Sequence, residues 1–382
     1  MDQDMKKLCF VTTVSMTMKA FVIPIAVYLH GHTDWDITLV CDEDPEFRKS
    51  LPPYLHYHAV PMARGIHLSG IKAMLEMEKF FREEHFDLVQ YATPNASLYA
   101  AMAAKRARIP VRLYCQWGLA YVGFRGIKRW IFKQEEKYVC WLSTWIEPDS
   151  RSNLDFAHRE GLYPPDQGSV VWNGSAVGVN LEKFDITKRE PFRDEIRRKY
   201  HIPAEAFVFI FVGRITRDKG VNELFEAFSQ FDDAWLMMVG WNEVDQTVNR
   251  ELYQKAQSSS RVVFTGFTDE VEKYLSAADC YLLPSYREGF GMGVIEAEAM
   301  GLPVVITDIP GPTDAMVEHE TGIVVQKANS KELHRAMKRI CENQEEAKRM
   351  GTKGAEFAAG MFEQKQLFAY ILRDRKALLK QS

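Results

Sequence analysis

The stretch FVFIFVGRITRDKG, residues 207–220, decides the fold. Its first six residues form an unbroken apolar run without the alternation of a half-exposed strand. Such a run reads as a strand buried on both faces, here taken over Phe207–Arg214. Gly213 and Arg214 close it, and Lys219-Gly220 stands just before an amphipathic segment. A buried strand passing through a glycine into a helix is the unit of a parallel α/β sheet. In such sheets ligands bind beyond the carboxyl ends of the strands, which is where Gly213, Arg214 and Lys219 fall.

The same unit recurs in both directions. Downstream, strands are expected at Ala234–Gly240, Val262–Gly266, Cys280–Pro284, Pro303–Thr307 and Gly322–Val325. Upstream they are expected at Leu8–Val14, Ile37–Cys41, Leu88–Tyr91, Val111–Cys115 and Ser169–Trp172, with helices such as Ser69–Glu84 and Ser97–Ala107 between them. The chain of 382 residues is long enough for two domains. The charged, strand-poor stretch from Gly174 to Pro203 reads as the linker. That gives a first domain over 1–173, a second over 204–361, and a terminal helix over 362–382 expected to return to the first.

Apolar residues make up 46% and charged residues 26%, which fits a globular chain with a full core. The net charge of -4 gives no general attraction to nucleic acid. Between Ala101 and Cys140, however, nine Lys or Arg face two Glu, a local charge of +7. That asymmetry fits an anionic partner, or a plain solvated basic surface. The six cysteines are scattered with no Cys-x-x-Cys pair, as expected for buried free thiols in a reducing compartment. No apolar stretch reaches the ~18–20 residues of a membrane span, so a cytoplasmic protein is expected.

Two constellations carry chemistry. In the first, Arg214 and Lys219 bring two cations to the end of a strand, Gly213 permits close backbone approach, and the following helix adds its positive end. Together these suit a diphosphate. The second is Pro284-Ser285-Tyr286-Arg287-Glu288-Gly289-Phe290-Gly291-Met292-Gly293-Val294-Ile295-Glu296. Three glycines in five residues expose backbone N–H groups toward an anion. Glu288 stands in the loop and Glu296 in the first helical turn, and carboxylates accept hydrogen bonds from the vicinal hydroxyls of a sugar or a ribose. Either constellation alone has an ordinary structural reading; both in one sheet are much stronger evidence of a binding site.

These residues, with Thr265-Gly266-Phe267, Ala278-Asp279, Pro284-Ser285, Gly301-Leu302-Pro303-Val304-Val305 and Gly322-Ile323-Val324-Val325, resemble glycosyltransferase family 4. Asn173-Gly174-Ser175, Gly178-Val179-Asn180 and Phe184 are similar to the linker region of its capsular- and surface-polysaccharide members. The likeness is dense from about 170 to 330 and thin before it. It implies an α/β protein of GT-B fold, with two Rossmann-like domains whose parallel sheets face a cleft. It implies a retaining transferase in which Arg214 and Lys219 clamp the donor diphosphate, Glu288 meets the transferred sugar and Glu296 the ribose. Gly213 and the loop Gly289, Phe290, Gly291, Met292 and Gly293 would line the donor, and Phe267 would border the base. The implied donor is a UDP-sugar, such as a UDP-N-acetylhexosamine, and the implied acceptor a saccharide, lipid-linked in surface polysaccharide synthesis. Two departures stand out. Thr12 to Phe21 holds no glycine where many members are glycine-rich, and Trp117 stands before Gly118 where many carry His. Trp117, Gly118, Lys19 and Asn173 are the acceptor-side candidates.

No residue is placed by sequence as a general base, which favours a front-face path where the leaving diphosphate helps take the acceptor proton. No cofactor or metal is expected. Asp42-Glu43-Asp44 has the Asp-x-Asp form of a metal motif but lies in the half away from the donor, and His56-x-His58 reads as plain strand. A nucleotide-sugar epimerase of the same fold and a non-catalytic nucleotide-sugar-binding protein are the competing readings. Read as a helix, Phe124–Lys133 puts Phe124, Ile127, Trp130 and Ile131 on one face. Arg125, Lys128, Arg129 and Lys133 fall on the other. Such an element can lie on the anionic inner face of a membrane, each cation adding about 1 kcal/mol, or simply pack its apolar face into the first domain.

Overall fold

The computed structural model describes residues 5–62, 68–244 and 247–380. The chain falls into two compact units, Met1–Val177 with Lys365–Ser382, and Gly178–Gln364.

The first unit is built on six parallel strands: β1 (Lys7–Val11), β2 (Asp36–Cys41), β3 (Leu55–Ala59), β4 (Leu88–Tyr91), β5 (Val111–Gln116) and β6 (Trp145–Pro148). They lie in the order β3-β2-β1-β4-β5-β6. The order reverses between β1 and β4, whose register pairs Leu8 with Leu88 and Val11 with Tyr91. The central strands are buried from Leu8 to Val11 and over all of β4, as their apolar runs require. Helix Pro94–Arg106 covers them with a face of alanines, Ala96, Ala100, Ala101, Ala103 and Ala104, all buried.

Two strand expectations need correction here. Ser169–Trp172 is not a strand; only Gly168 bridges to Ile146, and Trp172 turns the chain with φ +52°. The sixth strand is Trp145–Pro148, which carries Glu147 and ends in a proline. A sheet edge tolerates the proline. The charge is tolerated because Arg375, buried on the C-terminal helix Gln364–Lys380, pairs with it: Arg375 Nη2 donates to Glu147 Oε1 at 2.9 Å and Nε to Gln90 Oε1 at 3.1 Å. Trp172 and Tyr370 also stack, 5.4 Å apart, so the helix belongs to this unit from Lys365 onward.

The second unit repeats the plan with β7 (Val208–Val212), β8 (Trp235–Val239), β9 (Val262–Gly266), β10 (Cys280–Leu283), β11 (Val304–Thr307) and β12 (Gly322–Val325). Its order is β12-β11-β10-β7-β8-β9, so β7 and β10 are neighbours at the reversal, with Phe209 opposite Cys280 and Ile210 opposite Tyr281. Each unit therefore has the 3-2-1-4-5-6 order of a dinucleotide-binding sheet, in which the reversal is the ligand site.

The expected linker is shorter than its composition implied. From Gly178 the chain belongs to the second unit, and charged helix Arg189–Lys199 is bound into it. Arg193 and Arg197 each donate to one oxygen of Asp279, at 2.7 and 2.8 Å. Two of the charges that read as linker, Arg193 and Arg197, are partners of one aspartate far along the chain. Cys9, Cys41, Cys115, Cys140 and Cys280 are buried thiols and Cys341 is partly buried. Among the described residues no helix is long and apolar enough to cross a membrane.

Candidate active site

The two sequence constellations end neighbouring strands, β7 and β10. Gly220 seats their loops on each other. It is left-handed, with φ +72°, and a Cβ there would lie 1.9 Å from the carbonyl oxygen of Pro284. Only glycine fits both the angle and the approach. Tyr286 N–H then donates to the Asp218 carbonyl at 2.8 Å, tying the second loop to the first again.

Lys219 and Glu288 meet in this seam. Lys219 Nζ donates to Glu288 Oε1 at 2.7 Å, and Ser285 Oγ donates to the same oxygen at 2.7 Å. The pair is largely shielded from water. Arg214 reaches outward instead, donating to Glu243 Oε2 at 3.3 Å, with Asp218 Oδ2 3.9 Å away. Asp218 also accepts from Thr216 Oγ1 at 2.6 Å and from Arg287 Nη2 at 3.0 Å. Burial acts to raise its pKa, but the Thr216 hydrogen bond and the charges of Arg287, Lys219 and Arg214 hold it below the usual carboxylate range. Three cations thus converge on one aspartate, a concentration of positive charge that a diphosphate can take over.

Helix Met292–Ala299 starts from Gly291, which offers it no side-chain cap. The first turn of such a helix is a site of positive potential. Gly289 and Gly293 flank the start, and Met292 is its first residue. The ring of Phe290 is buried against Phe362, 5.1 Å away, which leaves its backbone as the part expected to face a donor. Glu296 lies one turn further on, and burial pushes its carboxyl up to about 7 while Lys183 pulls it down. The buried Tyr281 phenol feels the charge of both glutamates. Desolvation raises its pKa, and the carboxylates of Glu288 and Glu296 add to that rise.

Beyond β8, Gly240 packs on the Gly213 carbonyl; a Cβ would stand 2.2 Å from that oxygen. Trp241 follows, accepts at its carbonyl from Ile215 N–H at 2.9 Å, and stacks on Phe267 with centroids 4.9 Å apart. Both rings are half exposed. Sequence reasoning named Phe267 but missed Trp241, Gly240 and the aspartate at 218. A glycine and an aromatic directly after a buried strand were the available signal.

In the first unit, Lys19 lies on the turn of helix Met18–Val22 after β1, its Nζ 5.5 Å from the centroid of Phe47. Trp117 follows β5 and touches Phe21 at 5.4 Å, so the loops after β1 and β5 are neighbours. Gly118 is left-handed at φ +96°, and Asn173 is in the turn after Trp172. The loop after β1 turns without glycine through a threonine contact: Thr13 Oγ1 lies 2.7 Å from Oγ1 of Thr93, a residue held at φ +70° at the end of β4. Asp44 of the Asp-x-Asp motif caps helix Pro45–Ser50 by accepting from Phe47 N–H at 2.9 Å, and Ser15 Oγ donates to its other oxygen at 2.6 Å. His56 and His58 lie on β3, where His58 stacks on Phe80.

The sequence matches two family models, "Glycosyl transferases group 1" over residues 192–357 and "Glycosyl transferase 4-like" over residues 7–146. TuaC, a glycosyltransferase assigned to teichuronic acid biosynthesis in Bacillus subtilis (strain 168), is 32% identical over 74% of this chain and 69% of its own length. The chain belongs to the group 1 glycosyltransferases.

The capsular polysaccharide biosynthesis glycosyltransferase CapM of Staphylococcus aureus is 27% identical over 85% of this chain and 86% of its own. The UDP-Gal:alpha-D-GlcNAc-diphosphoundecaprenol alpha-1,3-galactosyltransferase of Escherichia coli is 23% identical over 81% of each. Among solved structures, Anabaena Alr3699/HepE in complex with UDP and glucose matches with a TM-score of 0.81 and 17% identity, over 97% of this chain and 99% of that one. The fold is GT-B, and the protein is a glycosyltransferase.

Proposed function

We propose that this glycosyltransferase moves a hexosyl or N-acetylhexosaminyl group from a UDP-linked donor to a hydroxyl of a lipid-linked saccharide, with retention at the anomeric carbon. The observation that carries the reading is the seam between the β7 and β10 loops, where Lys219 meets Glu288 at the ends of the strands that lead to Arg214 and to helix Met292–Ala299. Arg214 and Lys219 take the diphosphate, Glu296 the ribose, Glu288 the sugar, and the backbone about Phe267 the edge of the base. A UDP donor and a lipid-diphosphate acceptor are the substrates printed in the name of the E. coli relative, and the Anabaena structure holds UDP and glucose.

In the proposed step the bond between the anomeric carbon and the β-phosphate oxygen breaks. The acceptor oxygen forms its bond on the same face, and its proton passes to the departing diphosphate. Negative charge grows on the phosphate oxygens, and Arg214, Lys219 and the helix start meet it, so no divalent metal is required. Lys19, Trp117, Gly118 and Asn173 on the first unit are assigned to the acceptor.

A panel of nucleotide sugars, screened for nucleotide release that depends on added acceptor, tests this reading. Release from UDP-sugars with a lipid-diphosphate saccharide is the expected result. Interconversion of the sugar without acceptor, or a preference for GDP- or ADP-sugars, overturns it.

A further inference from the structure

The turn that opens the second unit sends a lysine across to the loop that leaves β9. The backbone of the turn is fixed from two sides. Val179 N–H donates to the Phe362 carbonyl at 2.7 Å, and Asn180 Oδ1 accepts from the N–H groups of Glu182 and Lys183 at 3.0 and 3.2 Å. The next residue, Phe184, is buried in the core. From this anchored start Lys183 Nζ donates to the Asp269 carbonyl at 2.6 Å and stands 3.7 Å from Glu272 Oε2. Asp269 is two residues beyond Phe267, and Glu272 lies in the first turn of helix Val271–Ala277. Glu272 Oε2 is shielded from water and has no hydrogen-bond partner among the described residues. Helix Val271–Ala277 touches helix Met292–Ala299, which carries Glu296. Burial is the largest influence on the Glu296 carboxyl and raises it; the ammonium of Lys183 pulls it down and the carboxylate of Glu272 pushes it up.

We infer that Lys183 is a positioning residue for the nucleoside half of the donor, a tether that fixes the loop after β9 and supplies the counter-charge to Glu296. This role presupposes the proposed donor site, in which Phe267 borders the base and Glu296 meets the ribose. The tether is more than a surface ion pair, which would be worth little. Its short bond goes to a main-chain carbonyl, so it sets the path of the loop, and the acid stands further off. Thr268 Oγ1 accepts from Glu270 N–H at 3.1 Å and folds the loop on itself, which leaves Lys183 as its tie to the turn. One ammonium then serves two acids, Glu272 and Glu296. Without it two carboxylates would be left with no cation between them, and a proton would take its place. A protonated Glu296 is a poorer acceptor for a ribose hydroxyl. The other charged groups at this end answer one another: Lys273 lies 2.8 Å from Glu270 and 3.6 Å from Glu195. On the β10 side Glu296 faces the Tyr281 phenol, which burial keeps protonated.

The test titrates UDP into the full chain by calorimetry between about pH 6.5 and about pH 8.5, across the ionisation of Glu296. Uridine binding is read alongside by saturation-transfer NMR. Lys183→Met should weaken UDP at least about tenfold at the acid end, the factor by which one nearby charge changes a carboxyl's ionisation. The loss should shrink toward the alkaline end, where Glu296 ionises without help. Uridine should lose by a similar factor, whereas Lys219→Ala should weaken UDP alone. Lys183→Arg should restore both the affinity and the pH profile. Glu272→Gln should act in the opposite direction and strengthen UDP at the acid end, an effect that a damaged fold does not produce. In the Glu296→Gln background, Lys183→Met should leave a loss that no longer varies with pH. The inference is overturned by a Lys183→Met protein that binds UDP as the parent does, or by a loss equal at every pH. A loss for UDP with none for uridine, or a weaker UDP complex in Glu272→Gln, overturns it too. A parent that binds neither UDP nor uridine would overturn the proposed function and this role with it. UDP binding by the parent with an indifferent Lys183 overturns this role alone.

Discussion

Lys219 and Glu288, 69 residues apart in sequence, form a 2.7 Å ion pair at the junction of the β7 and β10 loops. Each is the other's partner in the substrate-free protein. In the proposed reaction a donor diphosphate would compete for the ammonium and release the carboxylate toward the sugar. The pair balances the charges of the two loops against each other.

Lys219→Ala should lower turnover by roughly 10²–10³, the cost of one lost donor to a developing anion. Glu288→Gln should also lower turnover without weakening UDP, because its proposed contact is to the sugar and its loss removes a competitor for Lys219. Steady-state rates of the double variant should show less than the product of the two single losses. Multiplicative losses would mean that the two side chains do not act as a unit.

Glu296 should make donor binding depend on pH. Burial raises its carboxyl to about 7. Between the ordinary carboxylate pKa and that value, the folded protein holds a proton the unfolded chain has released. Its contribution to stability therefore falls as pH rises through this window. Glu296→Gln removes that loss, so the variant's Tm should gain on the parent's between about pH 5 and about pH 8. A ribose hydroxyl donates to the ionised form, so UDP binding near neutrality should release protons from the parent and fewer from the variant. The variant should bind UDP about 1.5–3 kcal/mol more weakly. Calorimetry in buffers of different ionisation enthalpy measures both, and equal proton release would remove Glu296 from the ribose.

Gly220→Ala should destabilise the protein by about 1–3 kcal/mol, since the new Cβ meets the Pro284 carbonyl in a backbone conformation alanine avoids. The Lys219–Glu288 seam should loosen with it, raising KM for the donor. Chemical denaturation and initial rates check the two effects, and an unchanged midpoint would show that the loops do not rest on this contact.

Arg375→Met should cost about 3–5 kcal/mol, because it leaves Glu147 buried without its cation. Equilibrium unfolding followed through the first unit reads this directly. Restoring neutrality with Glu147→Gln in the same chain should recover part of the loss, whereas a purely steric role for Arg375 predicts no recovery.

These residues also show what the sequence could and could not reveal. The strands of the second unit announced themselves because they are apolar runs, buried except for the half-exposed edge strand β9, and the loops after β7 and β10 carried glycines and charges at the carboxyl ends where chemistry sits. The first unit hid its sixth strand, because Glu147 and Pro148 break the apolar pattern and the cancelling charge, Arg375, is 228 residues away. Helix Arg189–Lys199 looked like linker for the same reason, since Arg193 and Arg197 answer Asp279. Helix Gly126–Leu142 begins after Phe124 and Arg125, which were expected within it, and leaves Ile127 and Trp130 of its apolar face exposed. Its Arg129 and Lys133 bond to Glu160 instead, a pairing no local pattern encodes.

The central claim is that the second unit holds uridine diphosphate through Arg214 and Lys219 without help from a metal. Titration of UDP into the protein in EDTA tests it, alongside uridine and the Arg214→Ala and Lys219→Ala variants. UDP should bind with the chelator present, far more tightly than uridine, and each variant should lose at least about tenfold, or 1.4 kcal/mol. Binding that appears only when Mg²⁺ or Mn²⁺ is restored, or variants that bind UDP as the parent does, would contradict the account and return attention to Asp42 and Asp44.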